Sequence, residues 1–266
     1  MAGVQIKPAV SHAWVRFLAA LGVVAMLVAA YIYFFGVQTG ATLLARYKYR
    51  GIPAAMQTPV PLKDLSVSSI PHRKLSWLGY ELELPWDDVD ESKSKTGGRI
   101  HLTAFRSGNV FWFSCFPPDE FVKGVMKDTK VDPETFRRTY GDKASQSDYE
   151  FIRMMLAVTP RTITPFTSTQ QSVRDSTLLL LKAMAVPEAA SGIFSIGVAG
   201  RKGYQFGDPG KDPQEVRDDL YGSDDGVELA FFLKPHGSVP AISQAEINRV
   251  LQSLHKVSDP ATDASR

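Results

Sequence analysis

Two acidic clusters and one strand histidine are the side chains here whose types and spacing could do chemistry. Asp218-Asp219, followed by Asp224-Asp225-Gly226, crowds four carboxylates around one predicted hairpin. Carboxylates held in unequal environments can divide acid and base work between them. The plainer alternative is a turn at Asp224-Asp225-Gly226 with the remaining acids facing water. Asp87-Asp88-Val89-Asp90-Glu91 offers oxygens to a hard cation, but lacks the central Gly and terminal Glu of a calcium loop. Its solvated form is an exposed loop.

His101 is the histidine set inside a predicted strand, opposite in phase to Ile100 and Leu102. The five histidines (His12, His72, His101, His236, His255) include no pair at helical i, i+4 spacing. A general base needs a partner within hydrogen-bond reach, and none is adjacent in sequence, so a half-exposed structural role is expected for His101. The single cysteine, Cys115, lies in the apolar run Val110–Phe116. It reads as a core thiol without an activating base. The Gly207–Pro213 stretch lacks phosphate-loop spacing, and neither His-Glu-x-x-His nor Gly-x-Ser-x-Gly occurs. No catalytic, cofactor-binding or metal-binding residue is therefore assigned, and no cofactor is expected. Trp86 and Trp112 remain as a candidate contact edge beside Asp87, Asp88 and Asp90, because exposed aromatic side chains mark interfaces.

What must position these residues follows from the rest of the chain. Phe17–Phe35 is 19 residues without a charge. At about 1.5 Å per residue it spans roughly 28 Å, close to the hydrocarbon thickness of a bilayer. Trp14 at one end and Tyr31 and Tyr33 at the other suit the headgroup boundary, and Phe35 closes the run. Ala29-Ala30 is followed by bulky apolar residues, which speaks against a cleavage site. Residues 17–36 are thus expected to be a transmembrane helix in a single-pass protein, with the bilayer contacted through 17–35. Lys7 and Arg16 precede it on a short tail (residues 1–16), which favours an N-terminus inside and a periplasmic or outer domain.

The 30 Lys and Arg residues against 28 Asp and Glu leave the part beyond the anchor neutral, since Lys7 and Arg16 lie before it. A neutral domain lacks the electrostatic footprint for nucleic acid. Residues 37–74, with Pro53, Pro59, Pro61 and Pro71, read as a linker or stalk, with a short strand near Leu65–Ile70. The globular domain is expected over 75–257 and a polar tail over 258–266.

Within that domain Tyr80, Leu82 and Leu84 alternate with Glu81 and Glu83 as a half-wet strand. Strands 99–106 and 110–116 flank Ser107-Gly108-Asn109. Asp119 is placed to cap a helix carrying Val122 and Val125. Asp132-Pro133 opens another helix, Ser147–Glu150 a third, and 169–185 a fourth with Val173, Leu180, Leu181 and Met184 near one face. Hairpins return at 193–206 and 215–233. Ser243–Glu246 then starts an amphipathic helix with Ile247, Val250, Leu251 and Leu254 inward. Strands, a helical middle, more hairpins and a closing helix predict an α+β domain with an antiparallel sheet packed with helices.

Three places carry a family likeness. They are Gly79–Trp86 with its glycine-aromatic-strand-proline start, the pair Tyr204–Phe206 and Val227–Leu233, and the closing Ile247–Leu254 helix with Ser253. Together they resemble the Mog1/PsbP-like α+β sandwich over residues 75–257. That resemblance implies a non-enzymatic binding or assembly module without catalytic residues to transfer. The expectation is a membrane-anchored, protein-binding or envelope-assembly module. The alternative is a membrane-tethered hydrolase with its site near His101 and the Asp218–Asp225 hairpin.

Overall fold

The structure is a computed structural model. It describes residues 12–164, 166–188, 190–212, 214–234 and 242–257, the side chains of 12–20, Val37 and Ala41 excepted. Helices are α1 (His12–Tyr49), α2 (Pro53–Met56), α3 (Glu120–Thr129), α4 (Pro133–Tyr140), α5 (Asp142–Ser145), α6 (Asp148–Ala157), α7 (Thr169–Ala185) and α8 (Gln244–Ser253). Strands are β1 (Val60–Pro61), β2 (Lys74–Trp77), β3 (Tyr80–Glu83), β4 (Lys95–Gly97), β5 (Ile100–Ala104), β6 (Val110–Phe116), β7 (Ile193–Val198), β8 (Arg201–Phe206), β9 (Glu215–Tyr221), β10 (Gly226–Phe232) and β11 (His255–Lys256). The protein is α+β. An eight-stranded sheet runs β1-β7-β8-β9-β10-β6-β5-β4, and a three-stranded sheet runs β11-β3-β2. Every pairing is antiparallel except β1 with β7.

Successive strand residues face opposite ways, so the central strands feed two cores. Val216 and Leu220 of β9, Phe113 of β6 and Leu229 of β10 pack with Ile247, Val250 and Leu251 of α8 and with Tyr80 and Leu82 of the small sheet. Tyr204 and Phe206 of β8 pack on the other face with Phe151 and Met155 of α6 and Leu178 and Leu179 of α7. The helical layer stops over β8 and β9. Beyond it the same sheet face carries half-buried Leu102, Trp112 and Ser114 in register on β5 and β6.

Local signals act where they were expected. Asp132 accepts from the Thr135 amide, Ser147 from Glu150, and Ser243 with Glu246 forms a reciprocal capping box. Four expectations are corrected. Asp119 caps nothing. Its φ is 60°, and Asp148 of α6 instead accepts from the Phe121 and Val122 amides at 3.1 and 2.9 Å, joining the two helices. On α7, Val173, Leu180 and Met184 are exposed while Ser172, Asp175, Leu178, Leu179 and Lys182 are buried. The polar residues can face inward because partners wait there. Lys182 Nζ donates to the carbonyls of Gln57, Leu156 and Val158, and Ser172 Oγ lies 2.6 Å from Thr167 Oγ1.

The third correction concerns 37–74. Its first third continues α1 past Gly36, with Gln38, Thr42, Ala45 and Tyr49 buried on α7 at helical spacing. β1 then joins the sheet edge. The fourth is the strand near Leu65–Ile70: none forms there. Asn248 of α8 donates to the carbonyls of Asp64 and Ser66, and Arg249 to that of Ser68, so the stretch between Pro61 and Pro71 is strapped over a helix by side chains.

Among the described residues no single helix is long and apolar enough to cross a membrane. The arms Leu21–Gly36 and Gln38–Tyr49 of α1 reach that measure only together, and a 70° bend separates them. Trp14 and Phe17 lie on the α1 backbone with side chains outside the described residues, while Tyr31, Tyr33 and Phe35 are exposed. Residues 1–11 and the expected tail 258–266 lie outside the described residues.

Candidate functional site: an acid pair beneath the helical rim

The β9–β10 hairpin sets the site. Its register places Asp219 directly opposite Glu228, and Arg217 opposite Ala230. Directly opposed residues hold their Cβ atoms about 5 Å apart on one face. That face looks into a cleft of about 390 Å³ where the helical layer ends. Phe116, Phe121, Met155 and Met184 form its apolar wall, and Arg217, Asp219 and Glu228 its floor.

Asp219 is 9% exposed. Its Oδ1 lies 3.2 Å from Arg217 Nε, yet neither atom has a well-aligned hydrogen bond. Arg217 is shared: its Nη2 donates to the carbonyl of Ala185 at the end of α7 at 2.5 Å and, more weakly, to Asp219 Oδ2 at 3.4 Å, and its guanidinium sits 4.8 Å from the Phe206 ring centre. One cation thus stands against two carboxyl groups. Burial raises the Asp219 pKa above the ordinary carboxylate range, opposed by Arg217. Burial and the Asp219 charge push Glu228 up to about 7. Desolvation disfavours the charged form, and a neighbouring like charge adds to it. A carboxyl group titrating near neutrality in a cleft can take up or release a proton, or meet an incoming cation.

The four acids expected around this hairpin do not converge. Asp218 faces the opposite core, fully buried, with neither oxygen hydrogen-bonded, and burial raises its pKa well above the usual value. Burial without a hydrogen-bond partner disfavours its ionised form. Asp224 is exposed in the turn. Asp225 is a structural knot. It ion-pairs with Arg201 at 2.5 Å and Lys256 at 2.6 Å and accepts from Tyr80 Oη, tying the β8 and β9 ends to the small sheet. These partners outweigh the burial that opposes them and bring its pKa down to about 2.

His101 stands in the Asp218 register row, but β6 and β10 intervene, a separation of about 14 Å at 4.8 Å per strand. Its Nδ1 lies 2.9 Å from Thr96 Oγ1 and its Nε2 3.1 Å from Thr103 Oγ1, so both ring nitrogens are engaged. Burial lowers its pKa.

In the other acidic loop, Asp87 accepts from the Arg73 amide and meets His72, Asp88 accepts from the Ser107 amide, and Asp90 accepts from Ser92. The carboxylates are spent separately. Among the described residues no group of three His, Cys, Asp or Glu could hold a metal. Trp86 packs on Phe105 with ring centres 4.9 Å apart, on the α8 side, whereas Trp112 stands on the opposite face beside Leu102 and Ala230. The two rings thus do not share one edge. The Cys115 thiol is half-buried and pushed up to about 11, first by burial, as for an inert thiol.

The acid pair escaped sequence reasoning, but a signal existed. With Asp224-Asp225-Gly226 as the turn, counting back along both strands puts Asp219 against Glu228. Compared with known protein families, curated proteins and solved structures, the chain matches none.

Proposed function

We propose that the chain is a membrane-anchored, non-enzymatic binding module, with its domain on the extracytoplasmic face and the cleft as its contact site for a protein partner. The observation that carries this reading is the first arm of α1. Every residue from Leu21 to Phe35 is exposed and none is charged, and among the described residues the domain meets this arm at its end, where Phe35 packs near Phe166. A continuous apolar surface of that extent is not stable in water, and the uncharged run begins at Phe17, giving bilayer-length coverage. The resemblance to the Mog1/PsbP-like sandwich supports the same class of function. The cleft adds a chemical preference: an apolar wall above a floor of two carboxyl groups and one arginine suits a lysine or arginine side chain on an apolar stem.

Expression in bacterial cells tests the placement. The chain is expected to stay with membranes through alkaline carbonate extraction, and protease added after outer-membrane permeabilisation is expected to remove the domain. Release by carbonate would overturn the anchor. Protection until the inner membrane is broken would overturn the orientation.

A second reading, a hydrolase, is favoured by one observation, the near-neutral Glu228 beside Asp219. It moves the site away from His101, which faces the opposite side of the sheet with Phe113 and Trp77. Turnover of any ester, amide or glycoside substrate that vanishes in a folded Glu228→Gln variant would establish it and displace the binding reading.

A further inference from the structure

The second arm of α1 is built inside out. The side packed on α7 carries Gln38 and Thr42 with Ala45 and Tyr49, all buried. Gln38 Nε2 donates to Thr169 Oγ1 at 2.8 Å, and Thr42 Oγ1 donates to the Gln38 carbonyl at 2.7 Å. The side turned away carries Leu43 and Leu44, each 64% exposed, and Tyr47, 71% exposed. A water-facing helix shows the reverse polarity.

At about 100° per residue, Leu43, Tyr47 and Leu44 form one stripe, with Arg46 and Arg50 on one flank and Lys48 on the other. All three basic residues are exposed, and none has an acidic partner among the described residues. An apolar stripe between two basic borders is the pattern of a helix lying in a membrane interface.

The stripe is continuous with other apolar surface. Leu44 borders a groove shared with Val173 and Leu180 of α7. At the bend, Phe35 of the first arm lies 6.4 Å from the exposed ring of Phe166. The 70° bend then turns the helix from one direction to the other.

We propose that Gln38–Tyr49 lies in the headgroup layer of an anionic bilayer, with Leu43, Leu44 and Tyr47 toward the acyl chains and Arg46, Lys48 and Arg50 at the lipid phosphates. This rests on the anchor reading above and deepens it. The domain is held flat against the surface rather than swinging on a stalk, because the same arm is packed on α7. Charge complementarity selects anionic lipid: cations flanking the stripe gain from phosphates, and the gain is screened by salt.

The test uses the full chain in vesicles of phosphatidylcholine with phosphatidylglycerol. A fluorophore is attached at single cysteines, Tyr33→Cys, Leu44→Cys or Asp128→Cys, in a Cys115→Ala background whose melting temperature is checked. Nitroxide groups high on the acyl chains serve as quenchers. The expected result is quenching at Tyr33→Cys and Leu44→Cys and none at Asp128→Cys. The triple change Arg46→Gln, Lys48→Gln, Arg50→Gln is expected to cut quenching at Leu44→Cys at least about twofold while leaving Tyr33→Cys unchanged. Quenching at Tyr33→Cys with Leu44→Cys behaving like Asp128→Cys would overturn this inference and leave the anchor standing. Concentration-dependent shielding of Leu44→Cys without lipid quenching would assign the stripe to a second copy of the chain, also overturning it. Quenching at none of the three would remove the anchor reading and this inference with it.

Discussion

Asp225 and the Asp219–Glu228 pair stand on the same hairpin and show how partners, rather than residue type, set what a carboxyl group does. Asp225 has two cations and a phenol aimed at it, and is driven down to about 2. Asp219 and Glu228 share one arginine that divides its donors between Asp219 and the Ala185 carbonyl, and Glu228 rises to about 7. The first arrangement fixes structure. The second leaves two carboxyl groups incompletely compensated at the floor of a cleft.

The largest effect is expected from breaking the knot. Asp225→Ala leaves the largely buried Arg201 and the buried Tyr80 without their acceptor and should cost about 3 kcal/mol, seen as a lower urea midpoint with unchanged m-value. An unchanged midpoint would remove Asp225 from its structural role. The cleft acids should behave oppositely. Glu228→Gln removes a buried ionisation and is expected to stabilise the fold at pH 8 by on the order of 2 kcal/mol, with little change at pH 4.5. Destabilisation at pH 8 would contradict the pairing.

The signs follow from proton counts. Glu228 in the fold holds its proton up to about 7, whereas an unfolded Glu loses it near 4.3, so its contribution falls as pH rises across that window. Asp225 is the reverse: its stabilisation is full above about 3.9 and is lost as pH falls through about 2. Urea melts of wild type from pH 2 to 8 should therefore weaken toward both ends, and Glu228→Gln should flatten the upper limb alone. Asp219→Asn sharpens the point further, since removing its charge should move the Glu228 titration to lower pH, followed by carboxyl NMR. The smallest effect belongs to Asp224→Ala in the exposed turn, within about 0.5 kcal/mol in the same urea assay. A larger loss there would mean that the turn, not the partners, distinguishes the acids.

The same contrast explains what was legible in the sequence. Hairpins, the Ser243 capping box and the inward face of α8 depend on residues within a few positions of each other, and they stand as expected. Features that depend on distant partners were hidden. Asp148, in the first turn of α6, serves the start of α3, and Lys182, on α7, clips three carbonyls from two segments. The end of the apolar run concealed that α1 continues, because the face that docks on α7 includes Gln38 and Thr42 and gives no apolar periodicity. In the acid pair, each residue was visible alone, but opposition across the hairpin required the register.

The most direct test of the central claim is the titration of Glu228 itself. Carboxyl carbon shifts of the full chain in detergent micelles, assigned by comparison with Glu228→Gln, should show a midpoint near 7 that moves when a lysine-bearing apolar peptide is added. A midpoint near 4.3, unchanged by the peptide, would mean that water reaches the pair freely and that the cleft is not the contact site.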